Sequence, residues 1–334
     1  MFDNSIITAK FSQTASLFAC IIKSPQTEKF FYERGIFYMF KPKGIVIPVV
    51  TPFDDNGKFK EDEYKKLLQY FIDNGIHGVF PFGTSGEFYA FDNGFYRHVL
   101  EVTCEYARGK MDIYAGANHI TPKGAIELAK IAEEVKVDAL SVLTPMFVSQ
   151  TQNELEIYYR KIADATSLPI VIYNNKPKTN VGVAPETIQK LAKVKNIIAV
   201  KDSTGDMTNS EEYIRLTRDN PDFCVLMGRD TLIYAALWYG AAGAITSCGN
   251  IAPRIAVDIY ENFINKNYDA ALEAQFKLSE LRIATNMGSF PVVIKEALNM
   301  IGYNVGKCAE PIQPLTSEQH AKLEVVMKNI GLLK

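Results

Sequence analysis

The chain predicts an α/β fold, a closed (β/α)8 barrel followed by a C-terminal helical extension. Eight short apolar runs alternate with helix-period segments from about residue 44 onward. The runs lack polar alternation, as expected for parallel strands covered on both faces. No GxGxxG follows the first run, which weakens an open doubly wound sheet, the second-best architecture.

The first strand is read over Gly44–Val50, and Tyr64, Leu67, Leu68 and Phe71 give the next helix a face at i, i+3, i+4, i+7. Gly78–Phe82 is the second strand, with a helix near 92–107. Asp112–Ala115 is the third, followed by the helix carrying Ala125, Leu128, Ala129 and Ala132. Asp138–Leu143 is the fourth, and Leu155, Tyr158, Tyr159 and Ile162 line its helix. Pro169–Tyr173, Ile197–Lys201, Phe223–Met227 and Gly243–Thr246 are strands five to eight. Their helices lie near 185–194, 209–218, 231–239 and 253–265. Trp238 and Tyr239 are expected to pack as core in the seventh helix. The TIM barrel thus spans 42–266. Residues 267–334, with Leu272, Gln275, Leu278 and Leu281, then Val292–Met300 and Glu318–Val326, form the helical extension.

Composition narrows the function. The 334 residues carry a formal net charge of -2, with 47% hydrophobic and 22% charged residues. Nothing basic suggests nucleic acid, and no run is long enough to span a bilayer. The five cysteines are scattered without a CxxC, as in a reducing, cytoplasmic setting. Residues 1–38 are set apart as an N-terminal extension of unknown role. Their apolar piece Ala15–Ile22 is short and follows polar residues, so a cleaved signal is not expected. Asp54-Asp55-Asn56-Gly57 lacks calcium-loop spacing and reads as a turn. The histidines lack metal-site spacing, although His119 sits near a strand exit.

In such barrels chemistry sits where strands end. Lys201 closes the apolar run Ile197-Ile-Ala-Val. Burial disfavours its charge, and a neutral amine attacks carbonyls. Tyr173 places a phenol at the end of strand five, where it can pass protons. Gly83-Thr84-Ser85-Gly86 is a strand-to-helix turn whose amides and hydroxyls suit a carboxylate. Each has a bland alternative: a solvated lysine, a tyrosine at a strand terminus, a capped turn. Their concurrence on strands six, five and two favours a site. Asp202 either tunes Lys201 or caps the following helix.

The chain resembles the dihydrodipicolinate synthase/N-acetylneuraminate lyase family of class I aldolases over about residues 42–330. The resemblance rests on Pro48-Val-Val-Thr51-Pro52-Phe53, Gly83-Thr84-Ser85-Gly86-Glu87, Tyr173-Asn174, Val200-Lys201-Asp202-Ser203, Gly228-Arg229-Asp230 and Gly240-Ala-Ala-Gly243-Ala244-Ile245. It implies that Lys201 forms an imine with a 2-oxo acid, commonly pyruvate, that Tyr173 is the general acid/base, and that Thr84 and Ser85 hold the carboxylate and assist proton relay. Gly86, Lys178, Gly228 and Ile245 would complete the substrate-binding set. It also implies an aldehyde partner, a homotetramer or homodimer, no metal, and no cofactor beyond the covalent imine.

Met146-Phe147 stands where the family's synthases typically carry a tyrosine pair, and Lys178 where they place an arginine. Lysine offers charge without a bidentate fork. These departures favour an aldolase acting on a 2-keto-3-deoxy sugar acid, whose polar tail would meet Asn175, Lys176, Lys178 and Asn180. The alternatives are 4-hydroxy-tetrahydrodipicolinate synthase, joining pyruvate to aspartate semialdehyde, N-acetylneuraminate lyase, a sugar-acid dehydratase, and a non-catalytic 2-oxo-acid binding module.

Overall fold

A computed structural model describes residues 40–334; the extension expected over 1–38 lies outside them. Eight strands pair in parallel and in chain order, and the last closes on the first. They are β1 (Gly44–Ile47), β2 (Gly78–Val79), β3 (Asp112–Gly116), β4 (Ala139–Leu143), β5 (Ile170–Asn174), β6 (Ile197–Asp202), β7 (Cys224–Met227) and β8 (Gly243–Ile245). Parallel neighbours need crossovers, and helices supply them. In chain order these are α1 (Glu61–Asp73), α2 (Asn93–Ala107), α3 (Pro122–Val135), α4 (Gln152–Ala165), α5 (Lys176–Thr179), α6 (Pro185–Leu191), α7 (Met207–Thr217), α8 (Ile233–Tyr239) and α9 (Pro253–Ile264). The chain then continues through α10 (Tyr268–Ala284), α11 (Val292–Met300) and α12 (Ser317–Asn329).

Helix starts follow capping chemistry. Thr121 caps α3 ahead of Pro122, and Thr151 with Glu154 forms a capping box on α4. The apolar face expected for α1 is buried at Tyr64, Leu67, Leu68 and Phe71.

Three expectations need correction. β1 and β2 are shorter than the apolar runs that announce them. Pro48 stops β1, and Pro81 lacks an N–H for the ladder of β2. Phe82 then turns left-handed at φ 58°. The chain still follows the wall, since Phe80 N donates to Ile47 O at 2.7 Å and Gly116 N to Pro81 O at 3.1 Å. The loop after β5 forms the short α5. Trp238 and Tyr239 are about half exposed rather than core. In α8 the inward positions are taken by Ile233, Ala236 and Leu237. The Trp238 ring lies instead against Phe263 and Tyr268, with centroids 5.2 and 4.6 Å away.

The C-terminal helices bear on the barrel mouth. Gln275 of α10 donates to the Asp230 carbonyl at 2.8 Å, just after β7. Among the described residues no helix is long and apolar enough to cross a membrane.

Barrel closure depends on Gly243. A Cβ there would lie 2.0 Å from Gly44 O, a backbone atom of the paired strand. Gly243→Ala is expected to destabilise the fold by at least about 1–3 kcal/mol, seen as a lowered thermal midpoint by circular dichroism. An unchanged midpoint would show that β1 and β8 can separate without loss.

Candidate active site

The parallel register of β5 and β6 sets Tyr173 directly beside Lys201. Both are almost fully buried, at 4% and 3% exposure. Lys201 Nζ lies 3.9 Å from the centroid of the Tyr173 ring and 5.2 Å from that of Phe80. Desolvation is the largest influence on Lys201 and holds its amine below the ordinary value, while Tyr173 and then Asp230 pull it back up. Burial works to raise the Tyr173 phenol. The charge of Lys201 and hydrogen bonds involving Thr84, Asn175 and Lys201 outweigh that burial, and the phenol falls below its ordinary value. The ammonium lowers the phenol and the phenol raises the amine, so the two titrations are coupled.

The phenol is fixed from two sides. Asn175 Nδ2 donates to Tyr173 Oη at 2.9 Å, and Thr84 Oγ1 lies 3.1 Å from the same oxygen. Thr84 belongs to a turn bracketed by two buried left-handed residues, Phe82 at φ 58° and Glu87 at φ 53°. Such conformations cost of order 1–3 kcal/mol each and persist only when their surroundings hold them. The Phe82 carbonyl accepts from Asn118 at 2.8 Å. Thr51 Oγ1, at the exit of the first strand, donates to Gly86 O at 3.0 Å.

Glu87 is anchored more strongly. Its carboxylate lies 2.7 Å from Lys295 Nζ, and both side chains are essentially inaccessible, at 0% and 1% exposure. The second carboxylate oxygen accepts from Ala309 N at 2.7 Å, while Lys295 also donates to Lys307 O at 2.8 Å and sits 3.7 Å above the Phe53 ring. The turn that carries Thr84 and Ser85 is thus fastened to α11 and to the segment after it.

A cleft of about 100 Å³, open to solvent, reaches this pair. Of the residues expected at the site, Lys201, Tyr173, Thr84, Ser85, Lys178, Gly228 and Ile245 line it. Gly86 stands behind the wall: a Cβ there would meet Val49 O at 2.8 Å, so its place is close backbone packing. Asn175 lines the cleft and holds Tyr173, whereas Lys176 and Asn180 are exposed outside it. Phe147 is 92% exposed at φ 79° and is also outside the cleft. So is His119, whose ring lies against Thr121. Asp202 faces the start of α7, accepting from Ser210 Oγ at 2.6 Å and Asn209 Nδ2 at 2.9 Å, while the cap of that helix is Asp206, which accepts from Thr208 N at 2.9 Å.

Sequence reasoning did not place Arg282 and Phe290 in the cleft, and quoted Arg229 and Asp230 only as a motif. Arg282 comes from α10, far along the chain, and no periodicity or spacing marks it.

A parallel eight-stranded barrel with a buried lysine–tyrosine pair at its strand ends defines a class I aldolase-type lyase. The sequence pattern of the Dihydrodipicolinate synthetase family matches residues 41–330, and the chain belongs to that family. It is 31% identical over 289 residues to a 4-hydroxy-tetrahydrodipicolinate synthase from Methanothrix thermoacetophila, covering 86% of this chain and 97% of the relative. The crystal structure of dihydrodipicolinate synthase from Thermotoga maritima superposes with a TM-score of 0.85 at 29% identity, covering 89% of this chain and all of that one. A prophage protein of the dihydrodipicolinic acid synthase family from E. coli K12, solved in complex with pyruvate, gives a TM-score of 0.84 at 25% identity, covering 87% of this chain and 99% of that one. These relatives favour the condensation reading over sugar-acid cleavage.

Removing one member of the dry Glu87–Lys295 pair strands the other. Glu87→Gln is expected to destabilise the protein by about 3–5 kcal/mol, read from the urea midpoint. The double variant Glu87→Gln/Lys295→Met should recover part of that loss. Full additivity of the two single changes would mean that the pair is not coupled.

Proposed function

We propose that this protein condenses pyruvate with aspartate semialdehyde through a Schiff base on Lys201, the activity for which its curated relative is named. The observation that carries the proposal is a desolvated amine 3.9 Å from the ring of a phenol that is itself hydrogen-bonded to the Thr84–Ser85 turn.

The chemistry follows from these positions. Thr84 and Ser85 receive the pyruvate carboxylate. The neutral Lys201 amine adds to the ketone carbon, and the resulting carbinolamine loses water to give the imine. Tyr173 protonates the departing hydroxyl and takes the amine's proton, a role suited to a phenol whose pKa is lowered. Loss of a methyl proton then gives an enamine, whose terminal carbon attacks the aldehyde. The aldehyde oxygen gains a proton, and water releases the product from the lysine. No cofactor takes part in this sequence. Asn175 keeps the phenol aimed, and Thr84 is placed to pass its proton onward.

A second reading, cleavage of a 2-keto-3-deoxy sugar acid, draws on Lys178 and on the exposure of Phe147. It uses the same imine in reverse. A screen for pyruvate release from sugar acids separates it from the condensation.

Reduction with borohydride in the presence of pyruvate should add the mass of one reduced pyruvate adduct per chain. Lys201→Ala should add none; an adduct on that variant would displace the lysine from this role. Tyr173→Phe should still bind pyruvate but lose about 10²–10⁴-fold in turnover.

The pH dependence has a definite sign. Protonated Lys201 cannot attack, so trapping rises with pH through the amine's pKa and levels off. Because burial places that pKa below the 10.5 of free lysine, the midpoint should lie below it. Tyr173→Phe removes the phenolate that holds the amine's pKa up, so the midpoint should move to lower pH. A midpoint that stays put or rises would separate the two groups electrostatically.

A further inference from the structure

Where the barrel closes, the ladder between β1 and β8 runs out before the cleft is reached. Its last pairing is Val46 with Ile245, and Thr246 N donates to Val46 O at 3.0 Å. Beyond it the chain at Pro48, Val49 and Val50 is still buried, and β8 has already ended. Pro48 O and Val50 N would be costly to leave unpaired there.

Asn250 meets both. It is wholly buried, at 0% exposure, and ends the short 3-10 turn Cys248–Asn250 that follows β8. Its Oδ1 accepts from Val50 N at 3.1 Å, and its Nδ2 donates to Pro48 O and to Ser247 O, each at 3.0 Å. One amide side chain thus does for the exit of β1 what a neighbouring strand would do. Pro48 and Ser247 line the cleft, whereas Asn250 itself does not. The other side of the same stretch bears on the Thr84 turn. Thr51 Oγ1 donates to Gly86 O at 3.0 Å, and Val49 O is so near Gly86 that a Cβ there would lie 2.8 Å from it. Residues 48–51 therefore stand between Asn250 and the hydroxyls of Thr84 and Ser85.

We propose that Asn250 is a positioning residue for the carboxylate-binding turn: by clamping residues 48–51 it sets the Thr84 and Ser85 hydroxyls at the distance from Lys201 that a 2-oxo acid requires. Asn250 touches no substrate and acts through Thr51 and Gly86. This rests on the imine reading above, which assigns the pyruvate carboxylate to Thr84 and Ser85. A ketone that lacks a carboxylate reaches Lys201 without using that turn. The two kinds of carbonyl compound therefore report on different parts of the site.

The test compares pyruvate with hydroxyacetone in borohydride trapping, followed by intact mass. In Asn250→Ala the pyruvate concentration for half-maximal trapping should rise about 10- to 100-fold, the loss that misplacement by about 1 Å brings. The hydroxyacetone concentration should stay within about twofold of the parent, whereas a general loosening of the barrel would weaken both alike. Thr51→Val cuts the same link further along. The double variant Asn250→Ala/Thr51→Val should therefore trap pyruvate no worse than the weaker of the two single variants. If Asn250→Ala does not fold, Asn250→Asp carries the same readouts, since it keeps an acceptor for Val50 N and loses both donors.

An unchanged pyruvate concentration, a parallel rise for both compounds, or additive losses in the double variant overturns the positioning role. If the parent traps pyruvate and not hydroxyacetone, the double variant decides. Failure of the parent to trap pyruvate overturns the imine reading instead. Calorimetric titration of the parent and of Asn250→Ala with pyruvate then decides the role of Asn250, which stands if the variant binds at least about tenfold more weakly and falls if the two bind alike.

Discussion

The electrostatic coupling of Lys201 to Tyr173 is the constraint around which the mouth of this barrel is organised. Two groups that would each be unfavourable alone in a dry setting are placed side by side by the register of β5 and β6. Burial disfavours the ammonium, and the ammonium in turn favours the phenolate. The phenol's shift depends on the ammonium, whereas the amine's comes from burial and would grow without the phenol. The aromatic wall of Phe80 keeps water from settling the matter by solvating the charge.

The second requirement is geometric. Thr84 reaches the phenol only because its turn is held in a conformation that ordinary residues avoid. Phe82 and Glu87 are strained, and the strain is met by Asn118 on one side and Lys295 on the other. Arg282 and the carbonyl contact of Gln275 also come from the C-terminal helices. Those helices therefore contribute to the site itself as well as covering the barrel.

Much of this was legible in the sequence, and the reason is local. Eight apolar runs with helix faces between them encode a barrel, because strand and crossover patterns are short-range properties. Lys201 and Tyr173 were visible as polar residues closing apolar strands, and Thr84 and Ser85 as hydroxyls between glycines. What stayed hidden depends on tertiary approach. Nothing near residue 282 signals a cleft whose reactive lysine lies at residue 201. The Glu87–Lys295 contact joins positions whose neighbourhoods are unremarkable apart from one another. Trp238 was misjudged because apolar character was taken for burial, when the inward positions of the short α8 were already filled. The distinction between condensation and sugar-acid cleavage was lost for a similar reason. Lys178 and the Met146-Phe147 pair were weighed as departures, without the arginine that lines the same cleft.

The tie between Glu87 and Lys295 has a consequence for synthesis. Ribosomes extrude the barrel strands first, and the lysine that completes the hydroxyl-bearing turn follows the last of them. Until then Glu87 lacks its counterion, and the turn has only the contacts of Asn118 and Thr51 to hold it. The turn that carries Thr84 and Ser85 is therefore completed only after all eight strands have been made.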